Sequence, residues 1–336
     1  MKSFLIRRWF LLCLILVLGC GIAFSETLRP LTAVPALRQA VVLSVMFLMA
    51  FPLCIRAIWP TIRRPRAPLL AIAITFGLTP LMAWGMCEFL CLLWPGFRQA
   101  MGNGILVAAA APSTLASSSV WTRRAGGNDA VSLLVTVVTN LICFAVTPAW
   151  LLLMIGMMPQ FDPLAMAASL SLLVVVPVIA AQLLRLIPSW AMWATRHKIP
   201  LGVLAQVGVL AMVFLSAIQT GNRLDGEGLT AIWASLAVMV VLVLVLHLTA
   251  LYAGLKASPW VGVNRPDGIA VGFSGSQKTS MVGLEVATQL GVNILPMVTY
   301  HISQLLADTF VADRLREATP PPESRESWPA EMDTGA

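Results

Sequence analysis

The fold is decided by the stretch Gly272-Phe273-Ser274-Gly275-Ser276-Gln277-Lys278-Thr279-Ser280, which places glycines, hydroxyls and an amine inside a long apolar segment. A second stretch, Pro112-Ser113-Thr114-Leu115-Ala116-Ser117-Ser118-Ser119, interrupts another apolar segment in the same way. Proline removes a backbone donor and glycine weakens a helix, so each stretch predicts a helix broken at membrane depth. Backbone groups freed there must be buried in protein or line a wet cavity.

The composition around these stretches is that of an all-α polytopic membrane protein. Of the 336 residues, 58% are hydrophobic and 11% are charged, whereas soluble domains carry about 25% charged residues. This excludes a soluble enzyme, a nucleic-acid-binding module and a disordered chain. The six cysteines lie in apolar stretches without metal-ligand spacing, so neither a zinc site nor a disulfide framework is indicated.

Apolar runs of about 20 residues predict about ten transmembrane helices. The first could be a cleaved signal peptide, but the many spans that follow favour a retained helix. The predicted spans are 9–25, 36–59, 67–94, 102–122, 129–155, 163–187, 200–219, 229–255, 266–289 and 292–313.

The distribution of basic residues orients these spans. With the N-terminus inside, most of the 22 Lys and Arg residues fall on the cytoplasmic side, and only Arg29, Arg38, Arg98 and Arg223 fall outside. The net charge of +7 is therefore explained by loop charges and does not require a nucleic-acid partner. We expect both termini to be cytoplasmic in a cell membrane. The Pro-rich residues 317–336 predict a disordered tail.

The interrupted spans are the fourth and the ninth of ten, which are equivalent places in two halves of five. An odd number of spans per half predicts an inverted-topology repeat, with halves of about 9–155 and 163–313. Paired broken helices in corresponding positions are typical of a transporter's binding site. Helix packing by small residues is the alternative, which we favour for Ser113 and Thr114 alone. For Lys278 we favour function, because an ionisable residue is costly at that depth.

Three stretches together resemble the bile acid:sodium symporter superfamily, and specifically its SBF-like branch of the solute carrier family 10 member 7 type. They are 112–119 followed by Arg124-Ala125-Gly126-Gly127-Asn128-Asp129-Ala130, then Gly275-Ser276-Gln277-Lys278-Thr279, and finally Tyr300-His301-Ile302-Ser303-Gln304. The resemblance covers residues 1–316. It implies a panel domain and a core domain, with the fourth and ninth helices crossing at unwound centres.

The same resemblance implies where a sodium ion would bind. Ser118 and Ser119 match the Ser-Asn pair of the symporters' first sodium site, and Ser132 and Thr136 match its fifth-helix ligands. Three departures count against sodium. Phe273 or Ser274 replaces an acidic residue, Thr75 replaces a glutamine, and Gln277-Lys278 replaces Gln-Asn.

A fixed ammonium repels sodium by about 4 kcal/mol at about 4 Å and an effective dielectric constant near 20. We therefore expect Lys278 to replace the ion by bridging hydroxyls and carbonyls of the two broken helices. Transport would then be sodium-independent or proton-linked through Lys278. An ammonium beside helix N-termini also favours an anionic solute.

Weaker expectations concern other polar residues in the spans. Asp308 could form an ion pair with Lys278 or belong to a proton path, and the alternative is that it is only a packing residue. His301 and Gln304 share a helix face and more often make structural hydrogen bonds than bind a ligand. His247 only packs, and the acids are solvated at the outer ends of their spans; these acids are Glu88 and Glu285.

The sequence thus predicts a secondary transporter of a small organic anion, such as a bile-acid-like, carboxylate or sulfated solute. It predicts no cofactor other than sodium or a proton as the coupling ion. The alternatives are a non-transporting regulator of ion homeostasis and, more remotely, an intramembrane enzyme, for which no catalytic set is present. The candidate binding residues are Thr114, Ser117, Ser118, Ser119, Asn128, Ser132, Thr136, Ser276, Gln277, Lys278, Thr279, His301 and Gln304.

Overall fold

A computed structural model of the protein describes residues 2–32, 34–54, 59–115, 117–156, 161–224 and 229–317, and describes the backbone alone in 2–9, 11, 220, 222–224 and 229–236. This part of the chain is helical and contains no strand. The helices are α1 (Lys2–Ala23), α2 (Ser25–Thr32), α3 (Pro35–Ala50), α4 (Trp59–Ile62), α5 (Arg66–Ala73), α6 (Thr79–Leu93), α7 (Asn103–Ala110), α8 (Ser117–Arg124), α9 (Asp129–Ile155), α10 (Pro163–Leu170), α11 (Val176–Leu184), α12 (Pro188–Arg196), α13 (Lys198–Leu224), α14 (Leu229–Trp260), α15 (Arg265–Ser276), α16 (Ser280–Leu290) and α17 (Leu295–Glu317).

Two pairs of these helices are continuous through a π-helical turn. Ile74–Leu78 joins α5 to α6, and Ser171–Val175 joins α10 to α11. A proline follows each turn, Pro80 in one case and Pro177 in the other. Proline has no N–H to donate, so the regular ladder of hydrogen bonds must be interrupted at both places.

Five helices in the described residues are long and apolar enough to cross a membrane. They are Arg66–Leu93, Asp129–Ile155, Pro163–Leu184, Lys198–Gln219 and Ala237–Trp260. The segments Leu12–Ala23 and Ser25–Thr32, bent by 98°, would make a sixth span if taken together. The prediction of an all-α, multi-pass membrane protein is confirmed at this level.

The remaining predicted spans lie in helices that are too short or too charged to meet these requirements. The second, predicted at 36–59, ends at Ala50, since Pro52 cannot continue the hydrogen-bond ladder. The fourth and the ninth are divided by their breaks, and the tenth carries several charged residues near its end, in α17. The predicted tail lies outside the described residues from 318 onward.

The helices pack in two groups. The α13 group contains α1, α2 and α3, which pack on α13, together with the α10–α11 span, which packs on α3. The crossover group contains the α5–α6 span, α7, α8, α9 and α14 to α17, with α14 packed along α15 and α17. The groups meet where α10 contacts α9 and where α16 contacts α3 and α13.

The two broken segments are the most deeply enclosed parts of the chain. Every residue of 101–115 and of 268–287 is buried. Polar groups in both breaks are therefore removed from water and from lipid, and each must find a partner inside the protein.

Candidate functional site

The two breaks lie against each other in the middle of the crossover group. α7 ends at Ala110 because Ala111, which precedes Pro112, is extended, with φ −67° and ψ 149°. α15 ends at Ser276, and Gln277 is likewise extended. The N–H of Thr279 donates to the carbonyl of Pro112 at 2.9 Å. The interruptions that the sequence predicts are present, and they are in direct contact.

The first break leaves five consecutive carbonyls, 109–113, without partners in a regular helix. Each of them accepts a hydrogen bond from elsewhere in the fold. The pairs are Ala109 and Ala111 with Lys278 Nζ, Ala110 with Thr147 Oγ1, Pro112 with the Thr279 N–H, and Ser113 with Asn140 Nδ2.

The amino group of Lys278 is the central donor of this site. Its Nζ lies 2.7 Å from the carbonyl of Thr75, 2.7 Å from that of Ala109 and 3.0 Å from that of Ala111. The side chain is fully buried. None of the ion pairs in the described residues includes Lys278. The three carbonyls match the three N–H bonds of an ammonium, so the charge is held by backbone dipoles.

The Thr75 carbonyl is available because of the π-helical turn. There the N–H of Thr79 donates five residues back, to the carbonyl of Ile74. The next donor in that register would be Pro80, which has no N–H. Lys278 therefore bridges both breaks, as expected, but it does so through carbonyls only. The expectation that hydroxyls also bind Lys278 is wrong, and a third helix, the α5–α6 span, supplies one of the carbonyls.

The second break is fixed by Thr75 and Gln304. Thr75 Oγ1 lies 3.2 Å from the carbonyl of Ser274 and 3.1 Å from that of Gly275. Gln304 Oε1 accepts from the N–H of Lys278 at 2.9 Å, and its Nε2 donates to the Lys278 carbonyl at 3.0 Å. Gln304 Nε2 also lies 3.1 Å from His301 Nδ1. The expectation that Gln304 makes structural hydrogen bonds is therefore met, because its side chain binds the backbone of Lys278.

A second buried polar network lies beside the first. His247 Nε2 is 2.8 Å from Asp308 Oδ1, and Gln277 Nε2 donates to Asp308 Oδ2. Ser117 Oγ donates to Gln277 Oε1 at 2.8 Å. The expectation that His247 only packs is wrong, and Asp308 pairs with His247 and Gln277 rather than with Lys278.

The four hydroxyls of the possible sodium site hydrogen-bond to the protein itself. Ser118 Oγ and Ser132 Oγ lie 2.7 Å apart. Ser119 Oγ donates to Asp129, and Thr136 Oγ1 donates to a carbonyl of its own helix at 3.0 Å. The structure thus brings Ser118 and Ser132 together and gives Ser119 and Thr136 other partners.

The hydroxyls of Thr114, Ser117 and Ser276 also have partners within the crossover group. Ser117 Oγ lies 3.3 Å from Thr114 Oγ1, a second contact besides Gln277. Ser276 Oγ donates to the Phe273 carbonyl at 3.4 Å. Thr279 enters the crossing through its backbone N–H.

The Gly-Gly-Asn motif joins α8 to α9 against the start of α15. Gly126 has φ +79°, which favours glycine, and a Cβ on Gly127 would lie 2.6 Å from Ile269. Asn128 caps α9 through the N–H of Ala130 and donates from Nδ2 to Asp267 at 2.7 Å. Asn128 therefore has a structural role at this end of the site.

A family model matches residues 8–317 of the sequence, that of the SBF-like CPA transporter family. The chain belongs to this family. It is 29% identical over 260 residues to the uncharacterized protein PA2026 of Pseudomonas aeruginosa, covering 74% of the chain and 75% of that protein. It is 24% identical over 234 residues to sodium/bile acid cotransporter 7 of Danio rerio, covering 68% of each. It is 20% identical over 322 residues to sodium/bile acid cotransporter 7-B of Xenopus laevis, and the alignment covers 92% of each chain.

The match confirms the resemblance that the motifs indicate. The family is one of transporters rather than of enzymes, so the crossing breaks belong to a membrane transporter that acts on a small molecule.

An ion pair joins the two helix groups of this SBF-like transporter. Arg38 on α3 binds Glu285 on α16, with Nε 2.8 Å from Oε2 and Nη2 3.4 Å from Oε1. Gln289 Nε2 donates to Glu285 Oε1 and to Ser169 Oγ, each at 2.8 Å. The Glu285 side chain is 1% exposed. The expectation of a solvated Glu285 is therefore wrong, whereas Glu88 is half-exposed and pairs with Arg98.

Replacing Arg38 with Met is expected to lower the free energy of unfolding by about 2–3 kcal/mol, because it leaves a buried carboxylate without its cation. The double variant R38M/E285Q should recover most of that loss, since the unpaired charge is gone. Unfolding in detergent of the two single variants and the double variant measures this coupling. A double variant less stable than R38M would contradict it.

A mostly apolar cavity separates the two groups on another side. It has a volume of about 530 Å³ and lies between α9 and the α11–α12 region. Val137 and Leu141 line it from α9, while Gln182 and Arg185 are among the residues that face them. Arg185 Nη1 donates to the Phe51 carbonyl at 3.0 Å, which fixes the guanidinium at the cavity wall.

Proposed function

We propose that this chain is a secondary transporter that moves an organic anion by alternating access and does not use sodium. The observation that carries the proposal is the Lys278 ammonium, held by three carbonyls where the two broken helices cross. An ammonium in this position would put a positive charge at the centre of the crossing, in the role that a bound cation would otherwise have.

The surroundings of Lys278 argue against a sodium ion beside it. Sodium would face an ammonium at short range, which costs about 4 kcal/mol at about 4 Å and an effective dielectric constant near 20. No acidic side chain compensates at the position of Phe273 or Ser274, and both of these residues are buried. We propose a proton as the coupling ion instead.

The solute class follows from the cavity beside α9. A volume of about 530 Å³ suits a small organic molecule, and a mostly apolar wall with one guanidinium suits an amphipathic anion. Relatives named as sodium/bile acid cotransporters support a bile-acid-like or other carboxylate or sulfated solute.

Replacing Arg185 with Gln is expected to weaken binding of such an anion by about tenfold, the effect of losing one charged partner worth about 1.4 kcal/mol. Arg196→Gln, at an exposed position of α12, is the matched control. Titration of both variants with taurocholate measures the difference. Equal affinities in the two would place the solute elsewhere.

The architecture proposed with this function has ten spans in two inverted halves of five, within one transporter domain of residues 1–316. The α13 group would be the panel and the crossover group the core. Motion of the core against the panel would expose the cavity to either side in turn. Both termini would be cytoplasmic, in a cell membrane.

A thermal-stability screen of the purified protein against organic anions, with and without sodium, tests this function. A ligand specific to the folded state stabilises it by about 2.7 kcal/mol at a hundredfold excess over its Kd. We expect taurocholate or a related anion to raise the melting temperature equally in sodium and in choline. A shift that requires sodium would refute the role of Lys278. A null result across a broad panel would favour a regulatory protein of ion homeostasis instead.

A further inference from the structure

We propose that His247 binds a proton at the centre of the crossover group, with Asp308 as its counter-ion. We further infer that this proton is the coupling ion; that second step rests on the proposed transport function, whereas the binding site does not. The sequence expectation placed proton linkage on Lys278.

The two ring nitrogens of His247 each face an oxygen acceptor. Nε2 lies 2.8 Å from Asp308 Oδ1, and Nδ1 lies 3.4 Å from the carbonyl of Ser276. A neutral imidazole has one N–H and satisfies one of these acceptors, whereas an imidazolium satisfies both. Because both side chains are fully buried, the imidazolium and the carboxylate would neutralise each other in a region without water.

The oxygen acceptors of the site keep a donor when His247 releases the proton. The Ser276 carbonyl accepts from Tyr300 Oη at 3.0 Å, closer than His247 Nδ1. Asp308 keeps the Gln277 amide as a donor to its second oxygen. In both protonation states the oxygens of Asp308 and Ser276 therefore have a donor, and in the neutral state Nδ1 faces the Ser276 carbonyl at the longer distance of 3.4 Å.

Lys278 is a poorer candidate for the exchanged proton. Its three carbonyl acceptors need three N–H donors, and a neutral amine has only two. Loss of its proton would turn the amine's lone pair toward a carbonyl oxygen. The lysine is thus suited to remain charged while His247 changes state.

The titratable groups that face His247 come from few elements. On α17 they are the Asp308 carboxyl and the neutral Tyr300 phenol, whose ring centre is 6.0 Å from that of His247. Gln277, which follows α15 and precedes Lys278 in the chain, donates to Asp308. Neither the α5–α6 span nor its π-helical turn contributes a hydrogen bond or ion pair to His247 within the described residues. Asp308 is therefore the acidic group in direct contact with His247.

The network also connects His247 to both broken segments. Gln277 lies in the second break, and its Oε1 accepts from half-buried Ser117 at the start of α8. Protonation of His247 makes the crossing more positive by one charge. An anionic solute would then bind more tightly to the protonated state, which predicts symport of the anion with a proton.

The test is a pH titration of the full chain, labelled with ¹⁵N-histidine and placed in lipid nanodiscs. The chain has three histidines, so His197→Gln and His301→Gln assign the His247 signals. We expect both ring nitrogens of His247 to be protonated at the acidic end of the range in which the protein stays folded. At the alkaline end one nitrogen should lose its proton, and Asp308→Asn should remove the protonated form.

A His247 that stays in one neutral tautomer throughout the wild-type titration would overturn the proposal, whether or not Asp308→Asn folds. A second arm measures the affinity for taurocholate at both ends of the same range. We expect the affinity for taurocholate to be higher at the acidic end than at the alkaline end by about fivefold or more, a typical size for coupled sites. His247→Asn should show no such difference. An unchanged wild-type affinity would overturn the coupling role. Absence of any taurocholate binding, beside a normal titration, would refute the proposed solute and leave the proton site intact.

Discussion

Lys278→Met is expected to lower the free energy of unfolding by about 3 kcal/mol or more, the largest loss that we expect from any single substitution. The three carbonyls around Nζ would lose a common donor inside a segment with no access to water. Each buried group left unpaired costs about 1–3 kcal/mol. Met has a similar unbranched shape, so the loss reports missing hydrogen bonds more than a cavity.

Denaturant or thermal unfolding in detergent measures this effect against Lys256→Met, a substitution at an exposed lysine of α14. We expect that control to change stability by less than about 0.5 kcal/mol. If Lys278→Met were as stable as the control, the ammonium would not hold the two breaks together, and the account of the site would be wrong.

The second large effect is a sodium response created by Lys278→Ala. Truncation leaves an opening bordered by the carbonyls of Thr75, Ala109 and Ala111, and hard cations bind such oxygen ligands. Sodium should therefore stabilise the variant, by about 2.7 kcal/mol at a hundredfold excess over its Kd. The wild-type protein should show no such response, because the lysine already occupies this position.

The measurement is the melting temperature of wild type and variant in sodium, with choline at equal ionic strength as the control. A variant that gained no sodium response would show that Lys278 does not replace a cation.

The breaks and Lys278 could be predicted from the sequence because their signals are local. Pro112, the glycines on either side of Ser274 and an amine at membrane depth each have a direct physical consequence. The family could be recognised from the same stretches. Local signals do not identify the groups that Lys278 contacts. The lysine was therefore expected to bind hydroxyls as well as carbonyls.

The pairs that the sequence did not predict join residues far apart in the chain. Arg38 and Glu285 are separated by 247 positions, and His247 and Asp308 by 61. Each looked like an isolated polar residue in or near an apolar span, for which packing or solvation is the usual outcome. Only the packing of α3 on α16 and of α14 on α17 makes them partners.

One signal for the site was present and was missed. Pro80 follows Thr75 by five residues, the spacing of a π-helical hydrogen bond, and a proline there frees the Thr75 carbonyl. Recognising that register from sequence requires knowing that the helix widens at Ile74–Leu78. The end of α3 was likewise misplaced, although Pro52 marks it.

Uptake into proteoliposomes tests whether the chain transports an organic anion without sodium. The purified chain would be reconstituted, and entry of radiolabelled taurocholate would be measured with an inward sodium gradient and with choline in its place. We predict equal initial rates in both media and a lower rate in Arg185→Gln. Uptake that appears only with the sodium gradient would contradict the claim, as would a rate in both media no higher than that of protein-free liposomes.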